Sequence, residues 1–409
     1  MDEIAPAEAS DGGEESSGGG EDPIHTRAIR AGADADRDRD GLAPGLHRSS
    51  AYGFEDSDRA AAVHDGEMPG HCYGRMGSPT QQALEEAVAE LEGAEAALAF
   101  GSGMAAISSL LLTVLEPGDH LIAPAALYAT ASSLLEGLLD DHGVEVSRVD
   151  GTDPDAFAGA VREDTRLLYV ESPANPTLDL VDLEAVADLG RDAGLLTVAD
   201  NTFATPVNQR PLDAGIDVVV HSATKYLGGH GDVVAGALVG REELLGRVRR
   251  ETLKHLGGVI SPDSAWLVLR GIRTLPVRVE RHNRSALRVA EWLEEQPGVV
   301  RVRHPGLPSH PQHELARRQM SGFGGMIAFE LEGIHPARRL VDDLELCTLA
   351  VSLGDVATLI QHSASMTHAS VPAELRREAG IRDGLLRMSV GLERPEDLIA
   401  DLRRALPDG

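Results

Sequence analysis

Residues 195–225 read LLTVADNTFATPVNQRPLDAGIDVVVHSATK, and this segment decides the fold that the sequence predicts. It begins and ends with short apolar runs, LLTVADN and DVVVHSA, which have the length of buried strands. The stretch between them is long enough for a helical crossover and contains Pro and Gly residues typical of turns. Two continuous apolar runs joined in this way indicate parallel strands that are buried on both faces.

The same alternation extends over most of the chain around this segment. Five further runs of strand length read AALAF, HLIAP, VEVSRV, RLLYVES and AGALVG. Helix-length segments separate most of them, including SPTQQALEEAVAELEG, where Ser78 is the predicted N-cap and Pro79 the first helical residue. We therefore predict an α/β fold with a mainly parallel seven-stranded sheet covered on both faces. Such sheets bind ligands beyond the carboxyl ends of their strands.

The segments on either side of this region differ in composition. Residues 1–23 are rich in Glu, Gly and Ser and predict a disordered acidic tail, and residues 24–72 form an N-terminal arm. The ligand-binding domain is predicted at 73–262 and a smaller C-terminal α+β domain at 263–409. In the latter, a helical stretch from Asp263 to about Gln296 precedes three strands, VVRVRHP, MIAFELEG and LLRMSVGLE.

Charge and cysteine content exclude several classes of protein. The 409-residue chain has 66 acidic and 37 basic residues and a net charge of −29, so nucleic acid and anionic membranes are not predicted partners. This acidity fits a halophile, although a bias toward arginine codons would also explain the scarcity of lysine. Cys72 and Cys347 indicate unpaired thiols in a reducing compartment, and the N-terminus lacks a signal-peptide pattern. We therefore predict a cytoplasmic protein, and we predict no metal site.

Lysine is rare in this chain, and the position of one lysine is informative. Only Lys225 and Lys254 occur among the 37 basic residues. Arginine stays protonated, whereas a lysine amine can lose its proton and form a Schiff base. Lys225 follows the run DVVVHSA and Asp200 is the next-to-last residue of LLTVADN, so both are predicted at the same sheet edge. An amine and a carboxylate there suit pyridoxal phosphate, which needs an imine-forming lysine and an acid beside its ring nitrogen.

A phosphate site is predicted beside this pair. Ser222 and Thr224 offer hydroxyl groups next to Lys225. The segment AFGSGMAAISSLL adds a strand, a Gly-Ser-Gly turn and a helix whose first amides can bind phosphate. A Gly-Ser-Gly turn alone also fits an ordinary tight turn, so the prediction depends on the combination.

Seven motifs together resemble the Cys/Met-metabolism family of pyridoxal-phosphate enzymes, over roughly residue 25 to the C-terminus. They read YGRMGSPT, GSGMAAI, ESPANPTL, ADNTF, HSATKYLGGHGD, SASMTH and LRMSVGLE. The resemblance implies the aspartate-aminotransferase-like type I fold. It also implies a homotetramer built from two active-site dimers, since Tyr73 and Arg75 in YGR resemble residues that bind the phosphate of a neighbouring subunit's cofactor.

The resemblance also assigns roles within one subunit. Lys225 would bind the cofactor covalently and Asp200 would pair with its ring nitrogen. Four residues would hold the phosphate, namely Gly103, Met104, Ser222 and Thr224. Three more would contact the ring or the substrate: Tyr128 by stacking and by moving protons to the leaving group, Asn175 at the ring hydroxyl, and Arg387, with Ser352 nearby, at the substrate carboxylate.

Within the family, LAVSLGDVATLIQHSASMTH most resembles methionine γ-lyases. Val351 stands where cystathionine-processing members usually carry glutamate. Thr130 and His255 depart from the lyase pattern, in which cysteine and aspartate are typical. We therefore predict a lyase of sulfur amino acids that releases 2-oxobutyrate, ammonia and a thiol. A cystathionine γ-lyase, or a transferase such as cystathionine γ-synthase or O-acetylhomoserine sulfhydrylase, is the alternative. An aminotransferase fits the motifs less well, and a non-catalytic scaffold would not need Lys225, Asp200 and Arg387 together.

Overall fold

The computed structural model describes residues 24–32, 43–367, 369, 373–378 and 380–406. The predicted acidic tail, residues 1–23, lies outside this part of the chain. Within it the chain forms an α/β structure with one sheet of seven strands and a second sheet of five. No helix in the described ranges is long and apolar enough to cross a membrane. The predicted domain boundaries, including the one between residues 262 and 263, stay predictions.

The large sheet consists of the seven predicted strands. Their bounds are β1 Ala96–Phe100, β2 His120–Pro124, β3 Glu145–Val149, β4 Thr165–Glu171, β5 Leu196–Asp200, β6 Val218–His221 and β7 Gly236–Gly240. Across the sheet the order is β1-β7-β6-β5-β4-β2-β3. All neighbours are parallel except at β7, which is antiparallel to both β1 and β6. The prediction of a mainly parallel sheet is confirmed.

Burial on both faces explains the continuous apolar runs. On β6, Val218 and Val220 pack into one apolar cluster and Val219 into another on the opposite face, and all three are fully buried. Besides two π-helical segments, Leu134–Leu139 and Arg249–Leu253, and one 3₁₀ helix, Pro211–Ala214, the described ranges contain sixteen α-helices. They are α1 Ile24–Arg30, α2 Ser57–His64, α3 Pro79–Glu92, α4 Gly103–Val114, α5 Ala129–Ser133, α6 Pro154–Ala160, α7 Leu183–Ala193, α8 Thr205–Asn208, α9 Glu242–Val248, α10 Lys254–Leu256, α11 Pro262–Ile272, α12 Leu275–Glu294, α13 His313–Gln319, α14 Ile334–Asp343, α15 Ala373–Glu378 and α16 Pro395–Ala405.

Helix α3 begins where the sequence predicts. The Ser78 hydroxyl accepts a hydrogen bond from the amide of Gln81, Pro79 occupies the first turn, and the helix ends at Gly93 in the left-handed region, with φ of 72°. Because these signals depend only on residues within one turn, they can be recognised without knowledge of the tertiary structure.

The smaller sheet belongs to the C-terminal half. Its strands are β8 Val299–Arg303, β9 Met326–Leu331, β10 Thr348–Leu349, β11 Leu359–His362 and β12 Leu385–Ser389, arranged in the order β10-β11-β12-β9-β8. The three predicted strands correspond to β8, β9 and β12. Strands β10 and β11 were not predicted, because two and four residues are too few for a strand pattern.

The long predicted helix between residues 263 and 296 is two helices. Helix α11 ends at Ile272 and α12 begins at Leu275, so Arg273 and Thr274 separate them. The cause is Pro276, in the first turn of α12. Proline has no N–H to donate, and its ring clashes with the carbonyl four residues earlier, here that of Ile272, the last residue of α11.

Candidate active site

A cavity of about 420 Å³ opens at the carboxyl edge of the large sheet. Glu171 and Asp200 close the ends of β4 and β5, and Ser222 follows β6. The opposite wall comes from the segment before β11 and from β12 of the smaller sheet. Ten of the twelve predicted site residues line it: Gly103, Met104, Tyr128, Asn175, Asp200, Ser222, Thr224, Lys225, Ser352 and Arg387.

The other two predicted residues, Tyr73 and Arg75, lie elsewhere on the chain. The Arg75 guanidinium stands 5.5 Å from the centre of the Tyr73 ring and donates a hydrogen bond to the Lys254 carbonyl. Tyr73 is 48% exposed, and neither residue lines the cavity of its own chain.

Lys225 projects its amine into the cavity from the turn after β6. Its Nζ donates a hydrogen bond to Ser352 Oγ at 2.7 Å. Burial, and secondly the charge of Arg387, lower the pKa of Lys225 to about 8. A larger fraction of this amine is therefore neutral near physiological pH than of an exposed lysine, and the neutral form is the nucleophile.

Asp200 is buried at the end of β5 and accepts a hydrogen bond from the amide of Thr202 at 3.0 Å. Burial raises the pKa of this carboxyl group, while hydrogen bonds from Thr202, and then electrostatic attraction from the nearby His221, oppose the shift. A cationic ring nitrogen would supply the opposite charge that a buried carboxylate needs.

A close backbone approach forms the phosphate end of the cavity. A Cβ atom on Gly103 would lie 3.0 Å from Ser222 Cβ, so a larger residue would push α4 away from the loop after β6. Ser102 caps α4 by accepting from the amide of Ala105. The Thr224 hydroxyl donates to the Ala235 carbonyl at 3.1 Å and accepts from the Ala235 amide at 3.0 Å. Thr224 therefore also connects the loop that carries Lys225 to the segment before β7.

Arg387 is a buried cation on β12. Its Nη1 donates to Asn175 Oδ1 at 3.0 Å and its Nη2 to the Ser352 carbonyl at 2.6 Å, whereas Nε has no hydrogen-bond partner among the described residues. Burial lowers the pKa of the guanidinium to about 10. Because these partners are neutral, Arg387 has no ion-pair partner within hydrogen-bond distance among the described residues, and an anionic ligand could supply one.

Glu171 also lines the cavity, and our sequence analysis missed it. It faces Asp200 across the β4–β5 pair, in register. Burial, and then the charge of Asp200, raise the pKa of Glu171 to about 8. The rule that selected Asp200, a polar residue at the carboxyl end of a buried strand, applies equally to the glutamate of ESPANPTL and could have found it.

The structure distinguishes the three positions at which the sequence was compared with the lyase and cystathionine-processing patterns. Val351 is 55% exposed and lines the cavity, and Thr130 lines it from the first turn of α5. His255 does not line it, and its Nδ1 is 2.6 Å from the Glu251 carbonyl.

Comparison with known proteins agrees with this geometry. The family model for the Cys/Met metabolism PLP-dependent enzymes matches residues 25–407. The chain belongs to this family. The predicted family, type I fold and dependence on pyridoxal phosphate (PLP) are thereby confirmed.

Proteins similar to this Cys/Met-metabolism enzyme have several different activities. L-methionine gamma-lyase of Pseudomonas putida is 47% identical over 93% of this chain and 96% of its own length, and that of Fusobacterium nucleatum is 46% identical over 89% and 93%. O-succinylhomoserine sulfhydrylase of Pseudomonas aeruginosa is 43% identical over 88% and 90%. Among solved structures, cystathionine gamma-lyase of Lactobacillus plantarum, complexed with L-serine, is 36% identical and superposes with a TM-score of 0.88 over 94% and 98% of the two chains.

The residues of this Cys/Met-metabolism enzyme fit its cofactor. The cavity holds an amine with a depressed pKa, a buried carboxylate and a glycine at the start of a helix that a Cβ would crowd. These are the groups that an aldehyde, a pyridinium nitrogen and a phosphate respectively require.

Proposed function

We propose that the protein is a methionine γ-lyase, which converts methionine and water to 2-oxobutyrate, ammonia and methanethiol by α,γ-elimination. One observation carries the choice of substrate: of the described residues lining the cavity, four have acidic or basic side chains. Two of these end strands of the large sheet, and the other two both hydrogen bond to Ser352. The four are Glu171, Asp200, Lys225 and Arg387. A substrate with a second amino-acid head would leave its distal charges without partners, whereas a thioether methyl group needs none.

The proposed cofactor contacts follow from the positions of the side chains. Lys225 would hold the aldehyde carbon and Asp200 the ring nitrogen, while Asn175 would contact the ring hydroxyl. The phosphate would be bound by Gly103, Met104, Ser222 and Thr224. When bound, pyridoxal phosphate supplies a ring that withdraws electrons from the substrate's Cα.

The protein groups proposed to act on the substrate bind it and move protons. The Arg387 guanidinium would bind the α-carboxylate, with Ser352 beside it. The Lys225 amine and the Tyr128 hydroxyl are the two groups available to take a proton from Cα or Cβ. Tyr128 would then donate a proton to the departing sulfur, which leaves as a neutral thiol.

A γ-replacement transferase is the second candidate, and two observations favour it. Thr130 lines the cavity at a position where methionine γ-lyases typically have cysteine. The similarity to an O-succinylhomoserine sulfhydrylase is only a few per cent below that to the γ-lyases. A transferase would use the same protein groups and let a sulfur nucleophile replace the leaving group.

The proposed active unit is a dimer within a homotetramer. Its support is that Tyr73 and Arg75 lie outside the cavity of their own chain, and that Tyr128, Val234 and Val351 are exposed apolar groups at its rim. These rim side chains would be covered by a second subunit. We further propose a cytoplasmic enzyme of a halophile, supported by the net charge of −29.

Product analysis tests the proposal. The purified holoenzyme is incubated separately with methionine, cystathionine, homocysteine and O-acetylhomoserine, each with and without an added thiol. A γ-lyase releases 2-oxobutyrate and methanethiol from methionine alone. A new thioether that forms only when the second thiol is present would identify a transferase. Efficient cleavage of cystathionine with negligible methanethiol release would identify a cystathionine lyase.

A further inference from the structure

Glu171 has an unusual set of contacts for a buried carboxyl group. It is 4% exposed, and its two oxygens accept hydrogen bonds from two main-chain amides. Oε2 accepts from the amide of Tyr128 at 2.9 Å, and Oε1 accepts from the amide of Asn175 at 2.7 Å. The two amides belong to the segments that follow β2 and β4, which are neighbouring strands of the large sheet. One side chain therefore fixes two loops of the cavity relative to each other.

The Tyr128 segment is anchored in the apolar core by its neighbours Leu127 and Ala131, which are buried, but not by Tyr128 itself. Tyr128 is the N-cap residue of α5, which continues directly into the π-helical segment Leu134–Leu139, and no side chain caps the first turn. The Tyr128 side chain itself is 41% exposed, so it receives limited support from packing within its own chain. Even with this continuation the helical stretch is too short to be stable by itself, so its orientation depends on tertiary contacts. The hydrogen bond to Glu171 supplies one at the residue that carries the ring.

The Asn175 segment connects Glu171 to the substrate's carboxylate site. Asn175 donates its amide to Glu171, and its side-chain Oδ1 accepts from Arg387 Nη1 at 3.0 Å. Arg387 in turn holds the Ser352 carbonyl. A continuous set of hydrogen bonds thus runs from the Tyr128 amide through Glu171 and Asn175 to Arg387.

We propose that Glu171 is a positioning residue that couples the orientation of Tyr128 to that of Asn175 and Arg387. Its carboxyl group sets the distance between the ring that moves protons and the cation that binds the substrate carboxylate. This inference deepens the proposed function and rests on it for the roles of Tyr128 and Arg387. Glu171 contacts amides of the protein, so it acts through them.

The geometry requires a carboxyl group of this length. Glutamine has one acceptor oxygen, and its amide nitrogen would face one of the two main-chain N–H donors, so one hydrogen bond is lost. Aspartate keeps both oxygens, but it is one methylene shorter and cannot reach both amides from the same backbone position. Losing one hydrogen bond in a buried site corresponds to about a ten- to hundredfold change in an equilibrium constant.

The test compares Glu171→Gln and Glu171→Asp with a control, Glu163→Gln, an exposed glutamate just before β4. Thermal unfolding of each cofactor-free protein first establishes that it folds. Two measurements then use no substrate: PLP affinity by equilibrium dialysis, and the visible circular dichroism that the protein induces in the bound cofactor. We expect both Glu171 variants to bind PLP at most about tenfold more weakly than the wild type and to retain the absorption of lysine-bound cofactor. Both should lose most of the induced dichroism. Glu163→Gln should match the wild type.

Kinetics in a Tyr128→Phe background provide the second measurement. In the wild-type background, Glu171→Gln should lower kcat/KM for the best substrate about a hundredfold, with an effect on both kcat and KM. In the Tyr128→Phe background the same change should cost several-fold less, because the hydroxyl group it positions is already absent. Wild-type dichroism in both Glu171 variants, or fully additive losses, would overturn the proposal. If neither variant folds, Glu171 is required for folding, and that outcome also overturns the proposal. If methionine is not a substrate, the dichroism still tests Glu171.

Discussion

Lys225 and Arg387 hydrogen bond to the two ends of one residue, Ser352. Lys225 Nζ donates to its hydroxyl at 2.7 Å and Arg387 Nη2 donates to its carbonyl at 2.6 Å. Ser352 has a φ of 84°, in the left-handed region. The amine expected to bind the cofactor and the cation expected to bind the substrate are thereby held together in a buried site. After burial, the charge of Arg387 is the second cause of the lowered pKa of Lys225.

Arg387→Gln should shift the pH dependence of cofactor attachment. In the cofactor-free protein, Lys225 has a pKa lowered from 10.5 to about 8, so the neutral amine accumulates as the pH rises through about 8. The rate of PLP attachment should rise over the same range. Arg387→Gln removes the smaller cause, so the midpoint should move upward but stay below 10.5. Stopped-flow absorbance at a series of pH values measures it, and an unchanged midpoint would refute the coupling. Arg382→Gln, an exposed arginine near β12, is the control.

Ser352→Gly and Ser352→Ala should differ in stability. Both variants lose the hydroxyl that accepts from Lys225, but alanine keeps the cost of a left-handed backbone, whereas glycine does not. We expect the free energy of unfolding of the glycine variant to exceed that of the alanine variant by about 1 kcal/mol. Urea denaturation of the cofactor-free proteins measures the difference. Equal stabilities would mean that the backbone at residue 352 relaxes in the variants.

Lys225→Arg should abolish turnover and the visible absorption of lysine-bound cofactor while leaving the fold intact. Arginine retains the positive charge but stays protonated, so it cannot attack the aldehyde. The other lysine provides a matched control: Lys254→Arg should keep the absorption band. Circular dichroism in the far ultraviolet verifies folding. Near-normal activity in Lys225→Arg would rule out its role as the attachment site.

Mixed oligomers test whether the site is shared between subunits. Subunits carrying Tyr73→Phe and Arg75→Ala are mixed with subunits carrying Lys225→Ala, each preparation being inactive by itself. A heterodimer then contains one site with both wild-type halves, so random pairing should restore about a quarter of wild-type activity. If oligomers verified to contain both chains remain inactive, each site is complete within one chain.

Val351→Glu should shift substrate preference toward cystathionine. A carboxylate at this rim position would offer a partner to the distal ammonium group of cystathionine, and it would place a charge beside the methyl group of methionine. We expect the ratio of kcat/KM for cystathionine to that for methionine to rise about tenfold or more. Val351→Gln controls for polarity without charge. An equal rise in both variants would attribute the effect to size or polarity.

The sequence by itself determined the large sheet and the residues that follow its strands. These features can be recognised within short segments of the chain. They are the continuous apolar runs, the Ser78 cap, and the positions of Asp200 and Lys225 at or just after the ends of neighbouring strands. Parallel strands bring their carboxyl ends to one edge. The protein's amine and carboxylate that would bind the cofactor could therefore be assigned before any contact was known. The scarcity of lysine strengthened that assignment.

Only the tertiary structure decided how the distant segments meet. Asn175 and Arg387 are 212 positions apart, yet they share a hydrogen bond, and the Ser352 contact with Lys225 spans 127 positions. These contacts depend on how the smaller sheet packs against the larger one, which no local periodicity encodes. The proposed role of Glu171 could not be inferred from the sequence for the same reason. Its position at a strand end is visible in the sequence, but its two amide partners are brought together only when the loops after β2 and β4 fold around it.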